Sequence, residues 1–320
     1  MPPHQQSQAR NSSRRIAMGR VGVAALLTLG LGFGTVASAE EKAFDKTLTV
    51  TSGGTLIVDT DTGSINIAGT DASEVTINVK MRGNRNQLDD FHLTADAANN
   101  QVNVRGRRDM PQWLAWITNG PFDVQYTIQV PREFHVQART AGGNLELRNL
   151  SGKTVARTSG GNVRINGLSG DADVRTSGGS IRALQIVGNT KLITSGGNID
   201  VENAHGDVSA RTSGGDIRLK EIDSKLVAHT SGGDVDVFMV GANRGVDVST
   251  SGGDITLHVP TDFKAAVSAR TSGGDVDCDL PVESIEKFKH SRLEGKINGG
   301  GEPLVAKTSG GDITIRLAAK

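Results

Sequence analysis

Apolar and polar residues alternate in short runs along most of this chain, and turns rich in glycine separate the runs. A representative unit is Thr158-Ser-Gly-Gly-Asn-Val-Arg-Ile-Asn166, followed by Gly167-Leu-Ser-Gly-Asp-Ala-Asp-Val-Arg175. Strict alternation over about five residues is typical of a β-strand with one buried face. The pattern therefore predicts an all-β protein, and helix is hard to place within the repeats.

The turn sequence Thr-Ser-Gly-Gly, once Thr-Ala-Gly-Gly, recurs nine times. Its threonines are Thr140, Thr158, Thr176, Thr194, Thr212, Thr230, Thr250, Thr271 and Thr308. The first five intervals are 18 residues each, and the later ones are 20, 21 and 37. A short fixed period is typical of stacked architectures, in which each unit buries its apolar face against its neighbours. We therefore predict a single-stranded β-solenoid, β-helix-like or β-roll-like, with about 18 residues per coil.

The inward positions of the regular coils are aliphatic and similar in size, which suits a narrow core. They are Val163 and Ile165, Ile181 and Ala183, Ile199 and Val201, Ile217 and Leu219, and Val235 and Val237. The glycine pair is expected to give the backbone freedom that a tight corner needs. Threonines stacked in register are expected to stiffen the sheet. Five or six such coils predict a rod roughly 25–30 Å long.

The chain divides into three predicted segments: an export signal over 1–39, a strand-rich N-terminal cap with the first irregular coils over 40–138, and the repetitive solenoid with irregular C-terminal coils over 139–320. The ends of a solenoid must differ from its middle, because a terminal coil has to be covered. Thr51-Ser-Gly-Gly54 and Thr62-Gly63 resemble degenerate copies of the repeat turn. The segment from Glu283 to Lys296 is predicted to be a short helix or a loop.

The export signal is predicted from a basic start, an apolar run and a cleavage sequence of small residues, Ala37-Ser38-Ala39. An uncleaved membrane anchor is the alternative, although the apolar run is short for a span. No cysteine follows the run to carry a lipid. We expect the protein in the periplasm, on the cell surface or secreted, with no need for membrane association after cleavage.

The net charge of the chain argues against a nucleic-acid partner. The full sequence has 35 basic and 35 acidic residues, and removal of the signal leaves 31 and 35, a net charge of −4. Nucleic-acid binders usually carry a basic excess. The single cysteine, Cys278, excludes an intrachain disulfide, and the alternation around it predicts a buried structural thiol.

The residue after Gly-Gly changes along the chain from Asn and Ser to Asp. The series is Asn144, Asn162, Ser180, Asn198, Asp216, Asp234, Asp254, Asp275 and Asp312. Such side chains commonly bond an adjacent backbone N–H in a turn. Stacked carboxylates repel each other, so Arg211 and Arg218, or a divalent cation, are expected to compensate.

Calcium is therefore a candidate ligand, and the residues that would bind it are Asp216, Asp234, Asp254 and Asp275. The Gly-Gly-x-Gly-x-Asp sequence of calcium β-rolls is absent, because the third glycine is missing. The expectation is consequently that the protein needs no cofactor, with Ca²⁺ kept as the alternative.

Outward arginines and two tryptophans are the candidate partner-binding residues. Arg139, Arg157, Arg175, Arg211 and Arg270 precede the repeat threonine, and Arg164, Arg182 and Arg218 follow the glycine pair. Together they could form a stripe that contacts an anionic polysaccharide, or a mixed face solvated among interspersed acids. Trp113 and Trp116 could bind a sugar or a membrane, or simply cover the open end of the solenoid.

Searches for catalytic motifs find none: the chain lacks H-E-x-x-H, G-x-S-x-G and a phosphate-binding loop. The nearest approach to a carboxylate cluster is made by Asp234, Asp236, Asp254, Asp275 and Asp277, which follow the repeat. We therefore expect a protein that is not an enzyme.

Several sequence elements together resemble a known family. They are the export signal, Gly-Gly-x-Leu-x-Val-x-Thr from Gly53 to Thr60, Val130-Pro131, the serial Thr-Ser-Gly-Gly-Asp-Ile and Ile297-Asn-Gly-Gly-Gly301. These elements look like the bacterial "putative adhesin" family of exported β-solenoid domains, largely of unknown function. The resemblance covers roughly 45–320. It implies the solenoid fold and a surface role, and it brings no catalytic signature.

The expected function is that of a non-catalytic envelope or surface protein, whose rigid repetitive face serves adhesion or partner binding. The expected partner is a polysaccharide or protein of the cell envelope or of a host surface. Two alternatives remain open at this stage: a carbohydrate-active enzyme on a β-helix scaffold, and an envelope-sensing or assembly component.

Overall fold

The structure is a computed structural model, and it describes residues 40–109 and 121–318. The predicted export signal over 1–39 and both tryptophans, Trp113 and Trp116, lie outside the described residues.

The described residues form 27 strands and one short helix. The N-terminal part contains β1 (Glu40–Thr49), β2 (Thr55–Thr60), β3 (Ser64–Thr70), β4 (Glu74–Gly83), α1 (Arg85–Asp89), β5 (Phe91–Ala98), β6 (Gln101–Arg108) and β7 (Asp123–Pro131). The regular coils contain β8 (His135–Thr140), β9 (Leu145–Ser151), β10 (Thr154–Thr158), β11 (Val163–Ser169), β12 (Ala172–Arg175), β13 (Ile181–Val187), β14 (Thr190–Ile193), β15 (Ile199–His205), β16 (Val208–Arg211), β17 (Ile217–Asp223), β18 (Leu226–His229) and β19 (Val235–Met239). The C-terminal part contains β20 (Val246–Ser249), β21 (Ile255–Val259), β22 (Ala265–Arg270), β23 (Val276–Cys278), β24 (Val282–Lys289), β25 (Arg292–Ile297), β26 (Pro303–Lys307) and β27 (Ile313–Leu317).

The strands belong to two long sheets, which we name sheet A and sheet B. Sheet A has 13 strands in the order β1-β4-β7-β3-β9-β11-β13-β15-β17-β19-β21-β27-β23. Sheet B has 14 strands in the order β24-β25-β22-β26-β20-β18-β16-β14-β12-β10-β8-β2-β6-β5. From β8 to β21 the chain places one strand in sheet B and the next in sheet A. This alternation confirms the predicted single-stranded solenoid. Both ends of the chain extend the same sheets, so the stack is roughly 60 Å long rather than the 25–30 Å expected for the regular coils alone.

Neighbouring coils pair in parallel, and each repeat position therefore forms a column along the stack. Val163, for example, pairs with Leu145 on one side and with Ile181 on the other. The inward aliphatic pairs named from the sequence are all at most 2% exposed. One buried core thus runs between the two sheets.

The glycine pair at the repeat corner serves close packing rather than unusual backbone angles. All nine pairs lie within the described residues, and none of these glycines has φ in the left-handed region. A Cβ on the second glycine would collide with the neighbouring coil: at Gly179 it would lie 2.0 Å from the carbonyl oxygen of Gly161. The first glycine, Gly178, has its nearest such atoms at 3.8 Å. The second glycine is therefore required by the approach of two backbones, and the first is not.

The repeat threonine ties each corner to its neighbour. In all nine copies its hydroxyl donates to a glycine carbonyl of the adjacent coil at 2.7–2.9 Å, and in eight of them this is the second glycine of a repeat pair. The same oxygen accepts the N–H of the second glycine of its own corner; for Thr176 and Gly179 this distance is 3.3 Å. The nine threonines are 3–7% exposed. The threonine column thus bonds glycine carbonyls rather than other threonines.

One of the two degenerate turn copies belongs to this column. The carbonyl of Gly63 accepts the hydroxyl of Thr140 at 2.9 Å, as a second glycine of the repeat does. Thr51-Ser-Gly-Gly54 lies elsewhere, between β1 and β2, and its Gly53 has a φ of +76°. The sequence match at 51–54 therefore does not mark a repeat corner.

The coils at the two chain ends lie inside the stack rather than at its extremes. The first coil, β2 and β3, lies between the pair β6–β7 and the pair β8–β9. The last coil, β26 and β27, lies between β20–β21 and β22–β23. At both ends, therefore, the terminal coil of the sequence is stacked one place inward, and a coil from elsewhere in the sequence lies outside it.

Antiparallel strands cover the extremes of the stack. At one end β4 and β1 extend sheet A, β5 extends sheet B, and α1 begins at a capping box formed by Asn84 and Gln87. At the other end β24 and β25 form a hairpin that adds to β22. The predicted helix or loop over 283–296 is therefore wrong. The hairpin satisfies the free edge of β22, which a helix would leave unpaired.

Cys278 lies on β23, at the edge of sheet A, and this position explains its partial burial. Its thiol packs against the core but is only half-buried, so the predicted fully buried thiol is wrong in degree. Burial raises its pKa.

We expect Gly179→Ala and Gly178→Ala to have opposite effects on stability. Alanine at 179 places its Cβ against the Gly161 carbonyl and should lower the free energy of unfolding by about 1–3 kcal/mol or more. Alanine at 178 meets only ordinary contacts and should leave stability unchanged, or raise it by up to about 1 kcal/mol by restricting the unfolded chain. Urea unfolding of the two variants measures the difference. Equal destabilisation would contradict the packing explanation.

We expect Thr176→Val to lower the free energy of unfolding by about 1–3 kcal/mol, because the Gly161 carbonyl and the Gly179 N–H each lose a buried partner. Thr176→Ser keeps the hydroxyl and is the matched control, so it should retain most of the stability. Thermal melting of the two variants checks this, and a valine variant as stable as the serine variant would refute a role for the hydroxyl.

Candidate functional site

The residue after Gly-Gly forms a column along the corner that leads into sheet A. In stack order its members are Ser64, Asn144, Asn162, Ser180, Asn198, Asp216, Asp234, Asp254, Asp312 and Asp275. We name these residues the corner column. Insertion of the last coil places Asp312 between Asp254 and Asp275, which makes five aspartates contiguous.

Each side chain of the corner column except that of Asp275, the last member, accepts a hydrogen bond from the next coil. The N–H of Asp234 donates to Oδ1 of Asp216 at 3.0 Å, and the N–H of Asp254 donates to Oδ1 of Asp234 at 2.8 Å. The bond expected within one turn therefore crosses between coils instead. Asn and Asp offer the same acceptor oxygen, so the fold tolerates either residue.

The arginines expected to neutralise these aspartates do not contact them. Nε of Arg218 lies 3.6 Å from Oδ2 of Asp236, on the outer face of sheet A. Arg211 is on β16, in the other sheet. The donors at Asp216, Asp234, Asp254 and Asp312 are backbone N–H groups, and the expectation that Arg211 and Arg218 compensate the aspartates is wrong.

The calcium alternative stays a prediction. Asp216, Asp234, Asp254 and Asp275 are exposed and follow one another along the corner with Asp312 among them. Within residues 40–109 and 121–318, no three His, Cys, Asp or Glu side chains are grouped so that they could hold a metal ion.

The outer face of sheet A carries mixed charges. Its first outward column contains Arg164, Arg182 and Arg218, which are exposed, but Asp200 stands between the last two. A shallow groove of about 260 Å³ lies here, lined by Arg182, Leu184, Asp200, Val201, Glu202, Arg218 and Lys220. The sequence-predicted arginines are thus brought into one column, and acids interrupt it.

The outer face of sheet B carries a column that is mostly basic, which we name the basic column. In stack order it contains Arg105, Asp59, Arg139, Arg157, Arg175, Ile193, Arg211, His229, Ser249, Lys307, Arg270 and Arg292. Eight of these twelve residues are Arg or Lys, and Asp59 is the one acid. At a strand spacing of about 4.8 Å, the column is roughly 50 Å long.

The predicted arginines therefore do not form a single stripe. Those that precede the repeat threonine lie on sheet B, and those that follow the glycine pair lie on sheet A, because the Gly-Gly corner turns the chain from one sheet to the other. Sequence reasoning missed Lys307, although it also directly precedes a repeat threonine, Thr308. It missed Arg105 and Arg292 because their strands lie outside the repeat.

Few acids neutralise the basic column along the regular coils. Asp173 lies beside it: Arg175 Nε donates to its Oδ1 at 2.9 Å, and Arg157 Nη2 is 3.9 Å from its Oδ2. The hydrogen bond from Arg175 lowers the pKa of Asp173, and the charges of Arg157 and Lys191 act in the same direction. His229 donates to or accepts from Ser249 Oγ at 2.6 Å, and burial lowers its pKa, aided by the charge of Arg211.

A second groove, of about 430 Å³, lies next to the basic column. Four coils form its walls. They contribute residues of the turn that leads from each sheet A strand into the following sheet B strand, and outward residues of sheet B next to the basic column. The lining residues are Asp171, Ala172, Asn189, Thr190, Lys191, Asp207, Val208, Ser209, Lys225 and Val227. Its two carboxylates, Asp171 and Asp207, occupy equivalent repeat positions two coils apart, whereas the two in the groove on sheet A, Asp200 and Glu202, lie two residues apart on one strand.

Across the described part of the chain, no helix has the length and apolar character needed to cross a bilayer.

We expect Asp234→Asn to raise the free energy of unfolding by about 0.5 kcal/mol, because it keeps the acceptor for Asp254 N–H and removes a charge between two like charges. Asp234→Ala also loses the acceptor and should be about 1 kcal/mol less stable than the asparagine variant. The melting temperatures of the two variants and of the native protein, measured in the presence of a chelator, test both expectations. If added Ca²⁺ stabilises the native protein and not Asp234→Asn, an ion rather than backbone N–H groups compensates the column.

Comparison with known proteins identifies the family. None of the curated proteins matches the chain. Among solved structures, the chain is similar to a "putative cell adhesion protein" from Clostridium sporogenes, with 11% identity over 87% of this chain and 100% of that one and a TM-score of 0.24. It is also similar to a "putative adhesin" from Bacteroides fragilis (14% identity, 86% and 97% coverage, TM-score 0.42) and to a "putative lipid binding protein" from Parabacteroides distasonis (13% identity, 86% and 96% coverage, TM-score 0.39). Residues 54–316 match the Toastrack DUF4097 family, and the resemblance to a "putative adhesin" family is confirmed. The chain belongs to the Toastrack DUF4097 family.

Proposed function

We propose that this protein is a non-catalytic binding protein of the cell envelope, exported and held by a partner along the outer face of sheet B. The observation that carries the proposal is the basic column, in which eight of twelve residues aligned in register along roughly 50 Å are Arg or Lys. Many weak, identical contacts along such a line add up, because each further contact forms at a high effective concentration.

The arrangement of the described side chains supports binding rather than catalysis. Catalysis needs unlike groups that converge on one reacting atom, such as a nucleophile, its base and an oxyanion donor. In this fold each column repeats one environment, and the carboxylates Asp236 and Asp277 continue the repeat on the outer face of sheet A. The two grooves described above are shallow and are lined by repeating positions.

Export is the second part of the proposal, and the sequence of residues 1–39 supports it. A surface that works by avidity needs a partner with many copies of the same group, and polymers of the cell envelope have this property.

We expect the purified, fluorescently labelled protein to bind isolated cell envelopes saturably, and unlabelled protein to displace it. Binding should weaken as ionic strength rises, because exposed charges are screened beyond about 10 Å at 0.1 M salt. The number of reducing sugar ends in the envelope fraction should not change during the incubation. Non-saturable binding would contradict the proposed role, and a steady release of reducing ends would instead support an enzyme.

A further inference from the structure

We propose that the N-terminal half of the basic column, from Arg139 through Arg157 and Arg175 to Arg211, binds a linear acidic polysaccharide that runs along the stack. This inference rests on the proposed function and names the ligand class for the same face. Three observations carry it: an excess of guanidinium groups over carboxylates, a corner that is neutral beside Arg139, Arg157 and Arg175, and a narrow straight shape.

Two of the four guanidinium groups of this segment lack an anionic partner, and the other two share the single carboxylate of Asp173. Arg139 is exposed and makes no ion pair with any described residue, and the same holds for Arg211. Asp173 is engaged by Arg175 and lies 3.9 Å from Arg157, beyond hydrogen-bond distance. Nε of Arg157 is buried and has no hydrogen-bond acceptor among the described residues. Arg157 therefore makes no hydrogen bond to a carboxylate of the described residues, and its Nε is closed off from an external ligand.

The corner is neutral beside the first three arginines of this segment, and Asp216, in the coil of Arg211, is the first aspartate of the corner column. The coils of Arg139, Arg157 and Arg175 carry Asn144, Asn162 and Ser180 in the corner column, whereas the coils farther along carry five aspartates. Asn and Asp make the same hydrogen bond to the next coil, so the fold does not require the change. The change divides the rod electrostatically: the basic column faces a neutral edge in its N-terminal half and an acidic edge in its C-terminal half.

The shape of the surface favours a linear ligand over a planar one. Each strand of sheet B in the regular coils presents two outward residues, so the face is only two side chains wide but many coils long. A bilayer would also contact the column beside the arginines, which contains Asp173 and Asp247. A polymer chain can follow the arginines alone. Two coils together span roughly 10 Å along the stack, which is about the length of a disaccharide. A polysaccharide with one acidic group per disaccharide would therefore place an acidic group at every second coil.

The adjoining groove gives such a chain room for its sugar rings. It spans the same coils as Arg175 and Arg211, and its apolar walls carry two lysines, Lys191 and Lys225, which balance the charge of Asp171 and Asp207. Sheet A offers no equivalent track among its described residues, because Glu146 and Asp200 flank the arginines Arg164 and Arg182.

The test uses heparin, a linear sulfated polysaccharide, as the probe in a titration followed by fluorescence anisotropy. The variant Arg139→Gln/Arg157→Gln/Arg175→Gln should bind heparin about tenfold more weakly, since each exposed pair contributes little and three are lost. The salt dependence of the affinity should also become shallower. Arg164→Gln/Arg182→Gln/Arg218→Gln removes the same charge from sheet A and should change the affinity by less than about twofold. Equal losses in the two variants would overturn the assignment of the face.

A second pair of variants tests the role of the neutral corner. Asn144→Asp/Asn162→Asp keeps both side-chain acceptors but adds two charges beside the arginines, so heparin affinity should fall about two- to fourfold. The melting temperature should fall only slightly, because the two carboxylates repel each other while both hydrogen bonds between coils are kept. Asp234→Asn/Asp254→Asn is the reverse control at the distant end and should leave affinity unchanged or raise it slightly. Unchanged affinity of the Asn→Asp variant would overturn the claim that the corner selects the N-terminal half.

Three further probes separate the alternatives. Neutral dextran should not bind, and phosphatidylglycerol vesicles should bind less tightly than heparin does; the opposite order would show a membrane face and overturn the polysaccharide. If the triple variant on sheet B binds isolated envelopes as well as the native protein, the ligand assignment fails while the proposed function stands. If the native protein binds neither heparin nor envelopes, both fail.

Discussion

The hydrogen bond from the repeat threonine to a glycine carbonyl of the adjacent coil is the interaction on which the rest of the structure depends. It forms only where the two backbones approach so closely that the second glycine cannot carry a Cβ, as at Gly179 above Gly161. This close approach fixes the register of each coil on the next. Register matters because side chains in a strand alternate, and a slip of one residue would turn the aliphatic core positions outward.

Once the register is fixed, every repeat position becomes a column, and the surface chemistry of the protein is set column by column. The corner column illustrates this relation. Its structural requirement is an acceptor oxygen, which both Asn162 and Asp234 provide, so the charge of that side chain is free to vary along the rod. The basic column differs from the corner column in this respect. Its side chains point to solvent, and the fold requires no particular residue at these positions. A repetitive fold can thus carry an electrostatic gradient at little cost in stability.

The ends of the chain contribute a feature that no single repeat contains. The first and last coils, β2–β3 and β26–β27, are inserted between coils that are distant in sequence, so neither of these coils is an unpaired edge that can fray independently. The insertion also changes the surface. It brings Lys307 next to Arg270 and Asp312 between Asp254 and Asp275, and so lengthens both the basic run and the acidic run at the C-terminal end. Pairing between segments so far apart in sequence makes folding slower than for the regular coils, because long loops must close first.

The sequence by itself determined the all-β solenoid, the two strands per coil, and the inward aliphatics such as Val163 and Ile165, because the period of 18 residues and the alternation of polar and apolar residues are local properties. It also located the outward arginines and the drift from Asn to Asp. The tertiary structure decided which of these residues are neighbours. Arg157 and Arg164 are seven residues apart yet lie on opposite sheets, since the Gly-Gly corner stands between them. Asp312 and Asp254 are far apart in sequence yet adjacent, because the last coil is inserted into the stack. The order in which coils stack depends on pairing between distant segments, and no local pattern of residues encodes it.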